Sequence, residues 1–278
     1  MSPLDLTVVL PVRNEERNLG EALKALGKDF AMQSIVVDSN STDRTVAIAK
    51  EHGAEVINFE WDGKFPKKRN WLLRNHTPTT EWVLFLDADE WLTDDFKAEV
   101  RAALANTEHV GFWLNYTIYF EGRPLEGGYP LKKLALFRVG AGEYERIDED
   151  RWSQLDMEIH EHPVLDGTTG EIEAKIDHRD LRGLDHWKKK HADYAAWEAH
   201  RYLAIKDNSA LQSKWSTFQK IKYRLMGTPL LGPVFFFGCL FGMGGWRDGK
   251  RGVQWALLKA SYFNEISRMV RAEQKQKS

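Results

Sequence analysis

Cysteine is nearly absent: Cys239 stands alone in 278 residues, so no disulfide can form within the chain, a pattern that fits a reducing compartment. The first residues, Met1-Ser2-Pro3-Leu4-Asp5, carry no basic segment, and the apolar stretch after them is too short for a secretory leader. These two features set the expectation of a cytoplasmic protein. No internal repeat and no low-complexity tract appears. Histidine and cysteine do not recur at structural-zinc spacing. Charge is missing altogether between Arg224 and Arg247. What the chain does have is 42% hydrophobic residues, enough for a sizeable core, and 11 tryptophans.

The net charge is only -2, but it is unevenly spread. Residues 214–278 hold 12 Lys and Arg against 3 Asp and Glu. A basic tail on an acidic body points to an anionic partner, with nucleic acid and the cytoplasmic leaflet as the candidates.

The first hundred residues alternate in period. Short apolar runs at Leu6–Leu10, Ser34–Asp38, Ala54–Asn58 and Trp82–Leu86 read as strands. Between them, Glu15–Leu26, Arg44–His52 and Lys67–Asn75 read as helices. This alternation predicts an α/β fold: a mostly parallel sheet flanked by helices. The middle changes character, with strands expected at Val110–Phe120 and Leu134–Arg138 and a polar mobile loop over Gly140–Asp156. From Leu184 onward the chain reads helical. The expected division is 1–183, in halves of about 1–108 and 109–183, followed by a helical region 184–278.

In sheets of this kind ligands bind beyond the carboxyl ends of the strands. Polar residues collect there: Arg13, Asn14 and Glu15 after the first strand, Asp38 to Asp43 after the second, Asp87 and Asp89 after the fourth. Asp87-Ala88-Asp89 closes a fully apolar strand, and residues i and i+2 of a strand point to one side about 7 Å apart. Paired hard oxygen ligands suit Mg2+ or Mn2+ and a phosphate-bearing substrate. The alternative is an acidic turn before a helix starting at Thr93-Asp94-Asp95. Lys67, Lys68 and Arg69 open a helix, where cations and the helix N-terminus together suit a diphosphate. Glu158, His160, Glu161 and His162 crowd acid and base groups. Glu161 or Glu158 could take a proton from a hydroxyl, and His160, His162 or His178 could complete a metal shell or orient a phosphate.

The segments Val9-Leu-Pro-Val-Arg-Asn-Glu15, Asp38-Ser-Asn-Ser-Thr-Asp43, Lys67-Lys-Arg-Asn70 and Asp87-Ala-Asp89 resemble, in order and spacing, family 2 glycosyltransferases of the GT-A fold. Leu136-Phe-Arg138, His160-Glu161, Gly170, Ile176-Asp-His178 and Gly244-Gly-Trp-Arg-Asp-Gly249 with Gly252 are similar to the bacterial branch that includes lipopolysaccharide-core glucosyltransferases. The resemblance implies an inverting, metal-dependent transferase that uses a nucleotide-sugar, with UDP as the expected carrier. It implies Asp38 on the base, Asp87 on the ribose, Asp89 on Mg2+ or Mn2+ with His178 beside it, and Glu161 as catalytic base ahead of Glu158. Pro11, Arg13, Glu15, Lys67 and Arg69 complete the donor site. The implied acceptor is a saccharide or lipid-linked saccharide of the cell envelope, reached at the cytoplasmic face of the inner membrane.

The run from Arg224 to Arg247 is long enough to span a bilayer, but Pro229, Pro233 and six glycines break it as a helix. With an amphipathic helix following at Val253, Leu257, Ala260, Phe263, Ile266 and Val270, interfacial membrane attachment is expected. An oligomer interface and a full span are the alternatives. The competing functions are a metal-dependent nucleotidyltransferase, which would show a glycine-rich phosphate loop after the first strand, and a non-catalytic membrane or nucleic-acid adaptor. No such loop is present, and no nucleic-acid partner is expected.

Overall fold

The computed structural model describes residues 2–147, 155, 156, 158, 162–206 and 217–277. His160 and Glu161 lie outside the described residues. The chain forms two units, one of residues 1–122 with 131–181 and one of residues 123–130 with 182–278.

The first unit contains β1 (Leu4–Val12), α1 (Leu19–Leu26), β2 (Ala31–Asp38), α2 (Thr45–Glu51), β3 (Glu55–Asn58), α3 (Lys68–Asn75), β4 (Trp82–Phe85), β5 (Glu90–Trp91), α4 (Asp94–Ala105) and β6 (Gly111–Phe120). After β7 (Arg123–Pro124), which belongs to the second unit, come β8 (Lys132–Arg138), β9 (Gly142–Tyr144), β10 (Pro163–Leu165) and β11 (Thr169–His178). The main sheet runs β3-β2-β1-β4-β8-β6-β11-β5. The pairs β2–β3, β1–β2, β1–β4 and β6–β11 are parallel. The pairs β4–β8, β6–β8 and β5–β11 are antiparallel. The expected α/β architecture, a mostly parallel sheet with helices against it, is the observed one.

Alternation along β1 explains the layers. Leu6, Val8, Leu10 and Val12 pack with Leu19, Leu23, Phe96 and Val100, from α1 and α4. Val9 packs on the other face with Leu72 of α3 and with Phe85, Phe137 and Tyr144. A strand covered on both sides has no use for polar alternation, so β4 is buried throughout. Register sets the rim: Val9 stands level with Ile35 and with Phe85, so Asp38, three residues past Ile35, and Asp87, two past Phe85, follow at the same edge of the sheet.

Two boundaries differ from the sequence expectation. The first helix starts at Leu19 rather than Glu15, because the N–H groups of Asn18 and Leu19 both turn back to the Glu15 carbonyl. The stretch expected to be loop from Gly140 contains β9, paired antiparallel with β10. As its prolines and glycines imply, the apolar run before Arg247 is split among several short elements.

In the second unit α5 (Leu184–Ile205), α6 (Thr217–Leu225), α7 (Leu231–Phe237), a π-helical turn (Gly238–Gly242), a 3-10 turn (Gly245–Asp248) and α8 (Gly249–Lys277) surround Ala195, Ala199, Tyr223, Met226, Leu231, Phe235, Phe263, Ile266 and Val270. Among the described residues no helix is long and apolar enough to cross a membrane. The Gly244–Gly252 motif has a packing cause. A Cβ on Gly252 would lie 1.8 Å from the Gly245 carbonyl oxygen, so only glycine fits. Asp248 accepts hydrogen bonds from the N–H groups of Glu126 (3.0 Å) and Gly127 (3.1 Å), which fixes residues 123–130 in this unit.

Candidate active site

The loops after β1 and β2 are tied to each other. Asn14 N–H donates to Ser41 Oγ at 2.8 Å, and Thr42 N–H donates to Asn14 Oδ1 at 2.8 Å. Glu15 N–H donates to Thr45 Oγ1 at 2.7 Å, and its carboxylate accepts from Asn18 Nδ2 at 2.9 Å. Asn14 and Asn40 both adopt left-handed backbone, at φ 55° and 52°, a conformation asparagine tolerates better than most residues. Pro11 is buried at the end of β1 while Arg13 is exposed. Asp38 is buried and accepts from the N–H of Ser41 at 2.9 Å and from the Ser41 hydroxyl. A carboxylate offers about four lone-pair sites, so these two bonds fix its direction and leave it acceptor capacity.

The Asp-x-Asp segment is not the cap of the following helix. That task falls to Thr93, whose Oγ1 accepts from Phe96 N–H at 3.2 Å, and α4 begins at Asp94. Asp87 instead joins a charge cluster. Its Oδ1 accepts from Arg69 Nη2 at 2.9 Å and its Oδ2 from Lys133 Nζ at 2.6 Å. Lys133 also donates to Glu90 Oε1 at 2.5 Å, and Glu90 Oε2 accepts from Asp87 N–H at 3.0 Å. Burial pushes the Glu90 carboxyl up to about 7, with Lys133 pulling the other way and Asp87 and Asp89 adding to the rise. Burial acts against the charge on Lys133, yet Asp87 and Glu90 outweigh it and raise this lysine well above its ordinary value.

Asp89 is 3% exposed, and its carbonyl accepts from Arg179 N–H at 2.7 Å. The short ladder between β5 and β11 pairs Glu90 with His178, which brings His178 Nε2 to 3.8 Å from Asp89 Oδ1. Two atoms that each bind one small divalent ion at about 2.1 Å lie roughly 3 to 4.2 Å apart, so this spacing fits a shared Mg2+ or Mn2+. Among the described residues no three of His, Cys, Asp and Glu converge as a metal cage. A site with two protein ligands suits a cation that takes its remaining oxygens from phosphates and water. Asp87, Asp89, Glu90 and Glu158 stand against the cations Arg69 and Lys133, an acidic excess of the right sign.

The basic cluster at the start of α3 is turned inward. Lys68 is buried, donating from Nζ to the Val12 carbonyl at 2.9 Å and lying 3.3 Å from Asp156. Lys67 is buried as well. Arg69 holds Asp87 and donates from Nη1 to the Glu158 carbonyl at 2.6 Å. Burial opposes its charge, but Tyr144, Asp87 and Glu158 outweigh that and hold the guanidinium above its ordinary value. Glu158 caps the helix: its two carboxylate oxygens accept from the N–H groups of Arg69 and Asn70, each at 3.0 Å. His162 lies with its ring 5.4 Å from that of Trp113.

The structure thus brings Arg69, Asp87, Asp89, Glu158 and His178 into the rim region, with Asp38 at the end of β2. Sequence reading passed over Lys133 and Glu90. The available signal was the Lys132-Lys133 pair opening the apolar strand Leu134–Phe137.

The sequence model of the family described as "Glycosyl transferase family 2" matches residues 7–152. A 4,4'-diaponeurosporenoate glycosyltransferase of Staphylococcus haemolyticus is 31% identical over 102 residues, 34% of this chain and 26% of that protein. A TPR repeat-containing protein of Synechococcus elongatus is 36% identical over 107 residues, 38% of this chain and 26% of that protein. An uncharacterized glycosyltransferase of Rickettsia typhi is 30% identical over 120 residues, 42% of this chain and 40% of that protein. The chain therefore spans less than half the length of these relatives. Among solved structures, glucosyl-3-phosphoglycerate synthase from Mycobacterium tuberculosis, in complex with Mn2+, UDP and glucosyl-3-phosphoglycerate, matches at 27% identity with TM-score 0.33, covering 41% of this chain and 44% of that one.

Proposed function

The chain belongs to glycosyl transferase family 2, and from that premise we propose that it moves a sugar, with inversion, from a UDP-sugar to a saccharide or lipid-linked acceptor in cell-envelope glycan synthesis, of the lipopolysaccharide-core kind. The observation that carries the reading is the buried Asp89 carboxylate facing His178 across 3.8 Å at an acidic sheet rim. Asp38 accepts from the imide N–H of the base, and Asp87, steadied by Arg69 and Lys133, accepts from a ribose hydroxyl. Pro11, Arg13 and Glu15 border the nucleoside. Asp89 and His178 would hold Mg2+ or Mn2+, which when bound would supply Lewis-acid stabilisation of the leaving diphosphate. Lys67 adds positive charge on the diphosphate side.

Glu161 takes the proton of the acceptor hydroxyl. The hydroxyl oxygen bonds to the anomeric carbon on the face opposite the diphosphate, and the old carbon–oxygen bond breaks with its electron pair left on UDP. Glu158 is the weaker candidate for the base because both its oxygens are engaged by α3. The acceptor is met at the cytoplasmic face of the inner membrane. That setting is supported by the basic balance of residues 214–278 and by their uncharged run from Leu225 to Trp246.

Transfer assays on Asp89→Ala and Glu161→Gln test this directly. Each variant is expected to lose at least about a hundredfold in turnover. Asp89→Ala should also lose Mn2+ binding by calorimetry, while Glu161→Gln keeps it. Near-normal transfer by either variant would remove the role assigned to that residue.

A further inference from the structure

Helix α7 and the π-helical turn that follows it are apolar on every side. Their inner face, Leu231, Phe235, Cys239 and Leu240, is buried, and Phe235 stacks on Phe263 of α8 with ring centroids 3.5 Å apart. Their outer face is equally apolar and open: Leu230, Val234, Phe237 and Phe241 are 57%, 44%, 57% and 63% exposed. These four recur at spacings of four, three and four. The rings of Phe237 and Phe241 lie nearly parallel, 6.2 Å apart, so they are neighbours on one side. Trp246, Val253 and Leu257 add further exposed apolar surface in the elements that follow. A water-facing helix normally turns polar residues outward, and an apolar circumference marks a segment covered by protein or lipid.

Charge selects between the two. Lys220, Arg224, Arg247 and Lys250 are exposed on the flanks, and the Arg247 guanidinium lies 5.8 Å from the Trp246 ring centroid. The single acid of residues 217–258, Asp248, is turned onto the backbone N–H groups of Glu126 and Gly127. Among residues 217–258 the outward charge is therefore positive. No described helix is long and apolar enough to cross a bilayer, and an apolar face with basic flanks suits an orientation along the surface. We propose that the face formed by Leu230, Val234, Phe237 and Phe241 inserts into the headgroup layer of an anionic bilayer, with Arg224, Arg247 and Lys250 on the lipid phosphates. This names the contact surface of the membrane setting proposed above and rests on that part of the reading.

Vesicle flotation tests it. The full chain should float with vesicles of phosphatidylglycerol and phosphatidylethanolamine and stay down with phosphatidylcholine alone. Phe237→Glu with Phe241→Glu should cut flotation at least about tenfold, and Arg247→Glu with Lys250→Glu several-fold. Salt at about 0.5 M should mimic the second pair of changes. Melting curves check that each variant is folded, and UDP-sugar hydrolysis should be unchanged in all of them, which separates failure of this surface from failure of the transferase reading. The proposal is overturned if the wild type does not float with anionic vesicles, or if the double glutamate variant floats as well as the wild type. It also falls if wild-type dimers absent in the glutamate variant appear in sedimentation while no vesicle binding occurs; the face would then belong to a second copy of this chain.

Discussion

Glu158 and Lys133 show how single charged residues hold the rim in place. Each oxygen of Glu158 serves one N–H of the first turn of α3, a position where negative charge is favoured. Glu158→Gln keeps one acceptor oxygen and loses the charge, so it should cost about 1 to 2 kcal/mol, read as a lower denaturation midpoint. A loss of turnover beyond about a hundredfold with the midpoint intact would instead make Glu158 the base. Lys133 neutralises both Asp87 and Glu90. Lys133→Met leaves Glu90 without its cation and Asp87 with Arg69 alone, and is expected to destabilise the fold by about 2 to 3 kcal/mol and to weaken UDP binding measured by calorimetry. Neither role could be read from the sequence. Glu158 is 89 and 88 residues from the Arg69 and Asn70 whose N–H groups it binds, and nothing in the local pattern around a glutamate says which distant helix it caps.

At the scale of elements, strand β4 and helix α8 make opposite demands on their surroundings. β4 is legible in the sequence because a strand covered on both faces must be apolar at every position, and Trp82–Phe85 is. Leu84→Ala there should cost about 3 kcal/mol in urea unfolding. The separate two-stranded sheet was harder to read, since β9 and β10 are three residues each and depend on pairing with each other across a long stretch of chain. α8 carries Lys259 among the rings of Trp255, Trp187 and Tyr129, with its Nζ 5.0 to 5.8 Å from their centroids. Burial pulls this lysine down to about 8, with Cys239 opposing. The unfolded chain then holds the extra proton between about pH 8 and the ordinary lysine value near 10.4, so Lys259 makes the fold gain stability as pH rises through that window. Cys239, itself pushed up by burial, acts in the opposite sense. The comparison must therefore be between wild type and Lys259→Met. The variant should melt higher than the wild type below pH 8, and the gap should shrink by pH 9.5.

At the scale of the whole molecule, the order of elements and the converging strand ends were readable because register in a parallel sheet follows from the apolar pattern. The Asp87–Ala88–Asp89 segment was legible as a charged strand end, but not that Arg69 and Lys133 of the same chain answer Asp87. The cation-rich start of α3 misled in part: Lys68 and Arg69 answer internal acceptors, and a run of three positive residues does not reveal which way each points. The metal reading makes a prediction for the intact chain. UDP at about a hundred times its dissociation constant should stabilise the protein by about 2.7 kcal/mol in the presence of Mn2+. That corresponds to a rise of roughly 5 to 10 °C in melting temperature, and chelator should abolish it.

The Asp248 contact also reaches into biosynthesis. The N–H groups of Glu126 and Gly127 find their acceptor more than a hundred residues later. During translation the ribosome must therefore deliver the chain through Asp248 before the segment from Arg123 to Pro130 can form these bonds, and until then that stretch stays open to chaperones or proteases.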